Sequence, residues 1–455
     1  MPRVLDTADA IHYVETAQHL AAGNFFGYDP KIPLFYPLLG ALVHFIVSDL
    51  EWACRLVSLI ASTLTVVPVF FLARDLFDAR AARMAGVLFA CWPWLADYAC
   101  RVSTEATAIF LWFSALWLLQ RGLRHGGWTL YLSPFAFFAL CLTRPEGLFI
   151  LLCSLPAALI LGWKTIPQLS RRLCTVAALA GLCLLLNTLY VRQLTGETTA
   201  NYRIGFILQE FDYLRFVQTT VKSFSDVLPV MLGPILSLFL GVGLFNFHDR
   251  KRDGRLEAFV LFFAAAQWGI SLFVLSPAPR YLMATLIALS LWAAFGLVIV
   301  TTQLAQKDRP RWLVALPVLS VLGFFLLHTL ITVGSEHLGR RPREPREYKE
   351  AGRWMAEHLP PGLIFTRKPQ VGYYAGMPST GPALEDSLEE ALIRARDAQA
   401  AYFVVDERYT AQMVPSLRPL LDENAHVPGL DCVHVVDQYP QARVVIYQLL
   451  PEVSP

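Results

Sequence analysis

Two carboxylates, Asp6 and Asp9, stand ahead of the first long apolar run in the stretch Leu5-Asp6-Thr7-Ala8-Asp9-Ala10-Ile11-His12-Tyr13, and Lys31-Ile32-Pro33 follows. Short polar turns farther along carry Asp97-Tyr98-Ala99-Cys100-Arg101 with Thr104-Glu105, then Thr143-Arg144-Pro145-Glu146-Gly147, Asn201-Tyr202-Arg203 and Pro277-Ala278-Pro279-Arg280-Tyr281. A carboxylate can take the proton of an attacking hydroxyl. Arginine offers a planar fork of donors that matches phosphate oxygens. Together these residues suggest chemistry, with Asp6 or Asp9 able to act as a base and Arg101, Arg144, Arg203 and Arg280 suited to binding phosphate. Asp9 and Tyr13, four residues apart, share one face of a helix expected over about 9–22. Either aspartate also suits the N-cap of that helix, an ordinary role worth about 1 kcal/mol. The helix dipole holds a carboxylate there ionised, which weakens its proton affinity.

What must position these groups is mostly hydrocarbon. Of 455 residues 55% are hydrophobic and 16% charged, with mean hydropathy +0.46, which marks a polytopic membrane protein. A net charge of +2 gives no basis for nucleic-acid binding, so partners are sought among membrane lipids. Apolar runs near the ~20 residues a span requires occur at 53–73, 84–99, 104–120, 128–142, 147–163, 173–190, 226–247, 257–275, 281–302 and 312–333. The shorter run 34–47, interrupted by Pro37 and His44, reads as a helix lying at the interface. Seven of the eight cysteines fall in or beside apolar runs and serve as small apolar residues, with Cys432 alone in the polar C-terminal region. His12, His19 and His44 show no metal-ligand spacing, and neither metal nor cofactor is expected.

The basic residues are sorted by side. Arg74, Arg80 and Arg83; Arg121 and Arg124; Lys164, Arg171 and Arg172; Arg250, Lys251, Arg252 and Arg255; and Lys307, Arg309 and Arg311 fall in alternate loops, which places those loops in the cytoplasm. Residues 1–52, the turns near 97–103, 143–146 and 276–280, the loop 191–225 and everything after about 334 then lie outside. Arg101, Arg144, Arg203 and Arg280 run against the positive-inside trend, which argues for a retained use. This orientation carries the first fifty or so residues across the membrane without a signal peptide, so a further membrane helix upstream of this sequence is expected.

After Arg340-Arg341-Pro342-Arg343-Glu344-Pro345 the composition becomes that of a soluble domain. Helices are expected over 347–358 and 384–398, and strands over 363–366, 401–405 and 443–447, giving a small α/β domain. The organisation expected is therefore a loop region with interfacial helices over 1–52, a helical membrane domain of ten spans over 53–335, and an extracytoplasmic α/β domain over 336–455.

The pattern resembles the GT-C superfamily of integral-membrane glycosyltransferases, in its bacterial protein O-mannosyltransferase-like branch that includes the lipid A aminoarabinose transferases. Asp9-Ala10-Ile11-His12-Tyr13 resembles that family's Asp-x-x-x-Tyr, and Lys31-Ile32-Pro33 its Lys-Pro element. Ser103-Thr104-Glu105 is similar to its acidic second outer loop, Leu142-Thr143-Arg144 to its Leu-Thr-Arg/Lys turn, and Arg280-Tyr281 to a later turn. Tyr348 to Trp354 matches its Tyr-x-x-x-Gly-x-Trp opening of a soluble domain. The chain departs from the family in its Asp-x-x-Asp pair, which leaves Asp6 and Asp9 both open as base. The resemblance implies a polyprenyl-phosphate sugar donor, a lipid, glycan or protein acceptor, and a bacterial inner-membrane location with the site facing outward. It also implies that Asp9 and Asp6 are catalytic, while Tyr13, Lys31, Arg101, Glu105, Arg144, Arg203, Arg280 and Tyr281 bind substrate. A transporter is the main alternative class, but the notable charges gather at one face and no internal repeat is visible. A polyprenol-linked glycan ligase is the nearer alternative.

Overall fold

The computed structural model describes residues 4–5, 7–25, 32–162, 166–195, 213–223, 225, 228–246, 253–273, 279–307, 309–337, 344–383, 386–423 and 425–450. Asp6, Lys31 and Arg203 lie outside the described residues. The chain divides into two compact units, one of Tyr13–Thr329 and one of Met1–His12 with Leu330–Pro455.

The larger unit is helical. After α1 (Ala8–Ala21), which begins in the smaller unit, come α2 (Phe35–His44), α3 (Leu50–Leu76), α4 (Ala79–Cys91), α5 (Pro93–Ala99), α6 (Glu105–His125) and α7 (Trp128–Thr143). Next are α8 (Gly147–Gly162), α9 (Ile166–Thr195), α10 (Tyr213–Lys222), α11 (Leu228–Phe245), α12 (Gly254–Phe273), α13 (Pro279–Gln306) and α14 (Arg311–His337). Among the described residues five helices are long and apolar enough to cross a membrane: Leu50–Leu76, Glu105–His125, Cys174–Gln193, Arg280–Gln306 and Arg311–Ile331. Shorter apolar helices accompany them at Phe35–His44, Trp128–Thr143, Gly147–Ala158 and Val230–Phe245. The protein is a multi-pass membrane protein.

Each apolar run expected from the sequence contains helix, with one correction. The run 84–99 is two helices, α4 and α5, broken at Trp92. Pro93 has no N–H and disfavours helical geometry in the residue before it; Trp92 accordingly takes the extended values φ −75°, ψ 117°. Asp97 and Tyr98 therefore sit on a separate short helix. Helices in this unit approach closely where side chains are small. A Cβ on Gly243 of α11 would overlap the Trp292 carbonyl of α13, and one on Gly296 the Phe239 carbonyl. Lipid tails supply no hydrophobic drive for helix association, so such close contact gives the pair its dispersion energy.

The C-terminal region contains α15 (Arg346–His358), β1 (Ile364–Phe365), α16 (Pro369–Ala375), β2 (Ser379–Thr380), α17 (Leu388–Asp397), β3 (Tyr402–Asp406), α18 (Thr410–Met413), β4 (Leu430–Val436) and β5 (Val444–Leu449). The strand order is β2-β1-β3-β5-β4, with β1 parallel to β2 and β3, and β5 antiparallel to β3 and β4. Side chains alternate across a strand. Tyr402 and Val404 thus join Tyr348, Ala351 and Met355 of α15 on one face. Phe403 and Val405 join Ala391, Leu392 and Ala395 of α17 on the other. The expected strands at 363–366, 401–405 and 443–447 are present; β2 and β4 are additional. The helix expected over 384–398 starts at Leu388, where Ser387 and Glu390 form a reciprocal capping box. Buried Glu347 pairs with Arg408, and the buried Tyr348 hydroxyl donates to Asp406 at 2.7 Å, tying α15 to the end of β3.

Candidate functional site

In the smaller unit α1 opens with a cap that settles one of the roles left open for the aspartates. The Thr7 hydroxyl accepts the N–H of Ala10 at 3.1 Å. Thr7 therefore caps the helix. Asp9, half-buried at the second helical position, does not.

In the larger unit four helix ends bring charged groups together. Glu105 is the first residue of α6, Arg144 terminates α7, Glu146 precedes α8, and Arg280 and Tyr281 open α13. The Arg144 guanidinium donates to Glu105 at 3.2 Å and to Glu146 at 2.8 Å, forking between two largely buried carboxylates. It lies over the Tyr281 ring at 5.3 Å from the centroid. Arg280 lies over the same ring at 4.9 Å and donates to its hydroxyl at 3.0 Å. Two cations thus share one aromatic ring. Burial alone lowers the pKa of Arg144; the charges of Glu146 and then Glu105 outweigh it and raise the pKa, so the cation is fixed. These groups line a cleft with Trp112 and Gln267. The cleft sets two guanidinium ions and two carboxylates beside an apolar wall of Ala108, Ile109 and Ile150.

A second network holds the loop before Glu105. The Tyr36 hydroxyl accepts the N–H of Ser103 at 3.1 Å, donates to the Cys54 carbonyl at 2.8 Å, and lies 3.0 Å from Ser58 Oγ. Burial pushes the Tyr36 phenol well up, so it stays a neutral donor. Tyr13 packs edge-on against Tyr36 with centroids 5.4 Å apart. Arg55 donates to the Cys100 carbonyl at 2.9 Å and to Glu51 at 2.6 Å.

The fold of this arrangement has known counterparts. ArnT from Cupriavidus metallidurans in the apo state superposes with TM-score 0.61 at 16% identity, covering 98% of this chain and 94% of that one. The same protein bound to undecaprenyl phosphate gives TM-score 0.61 at 16% identity, covering 100% and 95%. The archaeal oligosaccharyltransferase AglB from Archaeoglobus fulgidus, in complex with an inhibitory peptide and a dolichol-phosphate, gives 0.62 at 14% identity, covering 89% of this chain and 66% of that one. The family model for dolichyl-phosphate-mannose-protein mannosyltransferase matches residues 31–191. The chain therefore shares the fold of these membrane proteins. No curated protein sequence gives a significant match.

Of the residues singled out in the sequence, the fold brings Glu105, Arg144, Arg280 and Tyr281 into one cleft. Arg101 instead pairs with Asp97 at 2.7 Å and lies over the Tyr98 ring at 5.3 Å. Tyr13 joins the Tyr36 network, and Asp9 stands in the first turn of α1. Asp6, Lys31 and Arg203 fall outside the described residues. Sequence reasoning missed Glu146 as a second carboxylate on Arg144, although its position two residues on was a signal. It also missed Trp112 and Tyr36, which apolar runs conceal.

Proposed function

We propose that this protein is a GT-C-type inverting glycosyltransferase that moves a sugar from a polyprenyl-phosphate donor to an acceptor hydroxyl on the outer face of the bacterial cytoplasmic membrane. The observation that carries the reading is the Arg144 and Arg280 pair over the Tyr281 ring in a cleft at four helix ends. The ArnT neighbour bound to undecaprenyl phosphate and the AglB neighbour with a dolichol-phosphate support a lipid phosphate as its occupant. In this reading Asp9 takes the proton of the acceptor hydroxyl as its oxygen attacks the anomeric carbon. The bond from that carbon to the phosphate oxygen breaks, and polyprenyl phosphate leaves with the bonding pair. A single displacement inverts the anomeric centre.

Phosphate is already a workable leaving group, so the enzyme's main electrostatic task is to hold its growing charge. A phosphate oxygen is a stronger acceptor than the phenol that Arg280 serves in the resting state. Arg280→Ala is therefore expected to raise the KM for lipid donor about tenfold or more, as loss of one charge-assisted bond requires, with kcat changed less. Lys31→Ala is expected to act in the same direction. Steady-state kinetics against donor concentration read both; an unchanged KM in both returns these side chains to anchoring in the headgroup layer.

Arginines fill the electrophilic role, so turnover is expected to persist in excess chelator. Loss of activity restored by one particular divalent cation would contradict this. The function itself is tested by incubating purified protein with radiolabelled polyprenyl-phosphate sugars and a membrane extract. A labelled lipid, glycan or protein acceptor is expected; label retained on every donor, in protein that binds polyprenyl phosphate, would overturn the reading.

A further inference from the structure

A hydrogen bond to the C-terminal domain anchors the chain at Leu5, four residues before Asp9. The backbone N–H of Leu5 donates to the Tyr374 hydroxyl at 2.8 Å, across 369 residues of sequence. Leu5 is fully buried and Val4 nearly so. Two residues beyond Leu5, Thr7 caps α1, and Asp9 is the second residue of that helix. The distance along the chain from anchor to carboxylate is thus four residues, of which the last three are fixed by the cap and the first turn.

Tyr374 is itself held on two sides. Its ring receives the ammonium of Lys349 at 4.8 Å and packs edge-on against Tyr373 with centroids 5.2 Å apart. Helix α16, which carries it, lies close against α15 at Gly352, where a Cβ would meet the Val371 carbonyl and the Tyr374 Cβ. Gly352 is the glycine of the Tyr348-x-x-x-Gly352-x-Trp354 pattern. That pattern therefore has a physical purpose beyond opening the domain: the missing side chain lets α16 seat Tyr374.

We infer that Tyr374 is a positioning residue, which fixes the entry to α1 through the Leu5 amide and so sets the aim of the Asp9 carboxylate. The inference rests on the assignment of Asp9 as base. A general base works only when its oxygen meets the proton within hydrogen-bond reach, and small displacements lower the rate steeply. A hydroxyl at the far end of the chain is a sensitive control on that geometry, because it acts on a two-residue lead into the helix cap.

Tyr374→Phe removes the acceptor and keeps the ring. The full-length variant is expected to lose about tenfold in kcat, with KM for the lipid donor unchanged within about twofold. Amide hydrogen exchange of the peptide covering residues 4–12 is expected to quicken while the rest of the C-terminal domain keeps its protection. Gly352→Ala, which displaces α16, is expected to move both readings the same way. Wild-type kcat in Tyr374→Phe, or unchanged exchange over 4–12, would overturn the positioning role. Asp9→Asn is assayed in parallel. Retained turnover there would remove the base assignment, while the exchange measurement would still report the anchor.

Discussion

Asp9→Asn is expected to lower kcat by about 10²–10⁴-fold, the range that loss of a positioned general base produces, while polyprenyl phosphate still binds. The substitution preserves shape but removes the negative charge and with it the ability to accept a proton. It leaves the cap of α1 in place, because that cap is the Thr7 hydroxyl on the Ala10 N–H. A loss of activity therefore cannot be assigned to loss of that cap. The check is initial rate at saturating donor together with equilibrium binding of labelled polyprenyl phosphate. A variant that turns over normally removes Asp9 from the mechanism and leaves Asp6 as the carboxylate to test.

Arg144→Ala carries the second large effect, and on two quantities at once. Arg144 is the shared partner of Glu105 and Glu146, both largely enclosed, so its removal takes one cation from two buried carboxylates. Breaking a buried pair from one side costs about 3–5 kcal/mol. The variant is expected to melt at lower temperature in detergent and to bind donor poorly. The two effects separate in the triple variant Arg144→Ala, Glu105→Gln, Glu146→Gln, which no longer buries the uncompensated charges. Melting temperature should recover there, whereas donor affinity should not. Recovery of both would make Arg144 a structural residue alone. Arg144→Lys is expected to fall between, since an ammonium cannot fork between two carboxylates and lie flat over Tyr281.

Much of this was written in the chain. Long apolar runs show themselves because a lipid-facing helix must be apolar throughout, and the β-branched strands at 402–406 and 444–449 stand out against polar neighbours. The break at Trp92–Pro93 did not show in the hydropathy, since both residues are apolar and only the missing N–H of Pro93 divides the run. Strand β2 has two residues, too few for any period, and β4 carries Asp431 and His434 on a half-exposed edge. For the cleft, the sequence singled out the arginines but not which carboxylates they meet. The Glu105–Arg144 contact joins residues 39 apart and exists only once α6 and α7 pack together. The Leu5–Tyr374 bond joins the two ends of the chain and leaves no local trace at all.

The identity of the lipid product tests the central claim most directly. Purified protein is given a polyprenyl-phosphate sugar and its acceptor, and the lipid is analysed by mass spectrometry alongside the labelled acceptor. The account predicts polyprenyl monophosphate released one for one with each sugar transferred, with both products falling together by about 10²–10⁴-fold in Asp9→Asn. Polyprenyl diphosphate as the product from a diphosphate-linked glycan, with no turnover of the monophosphate donor, would contradict it, as would movement of intact donor across the membrane without either product.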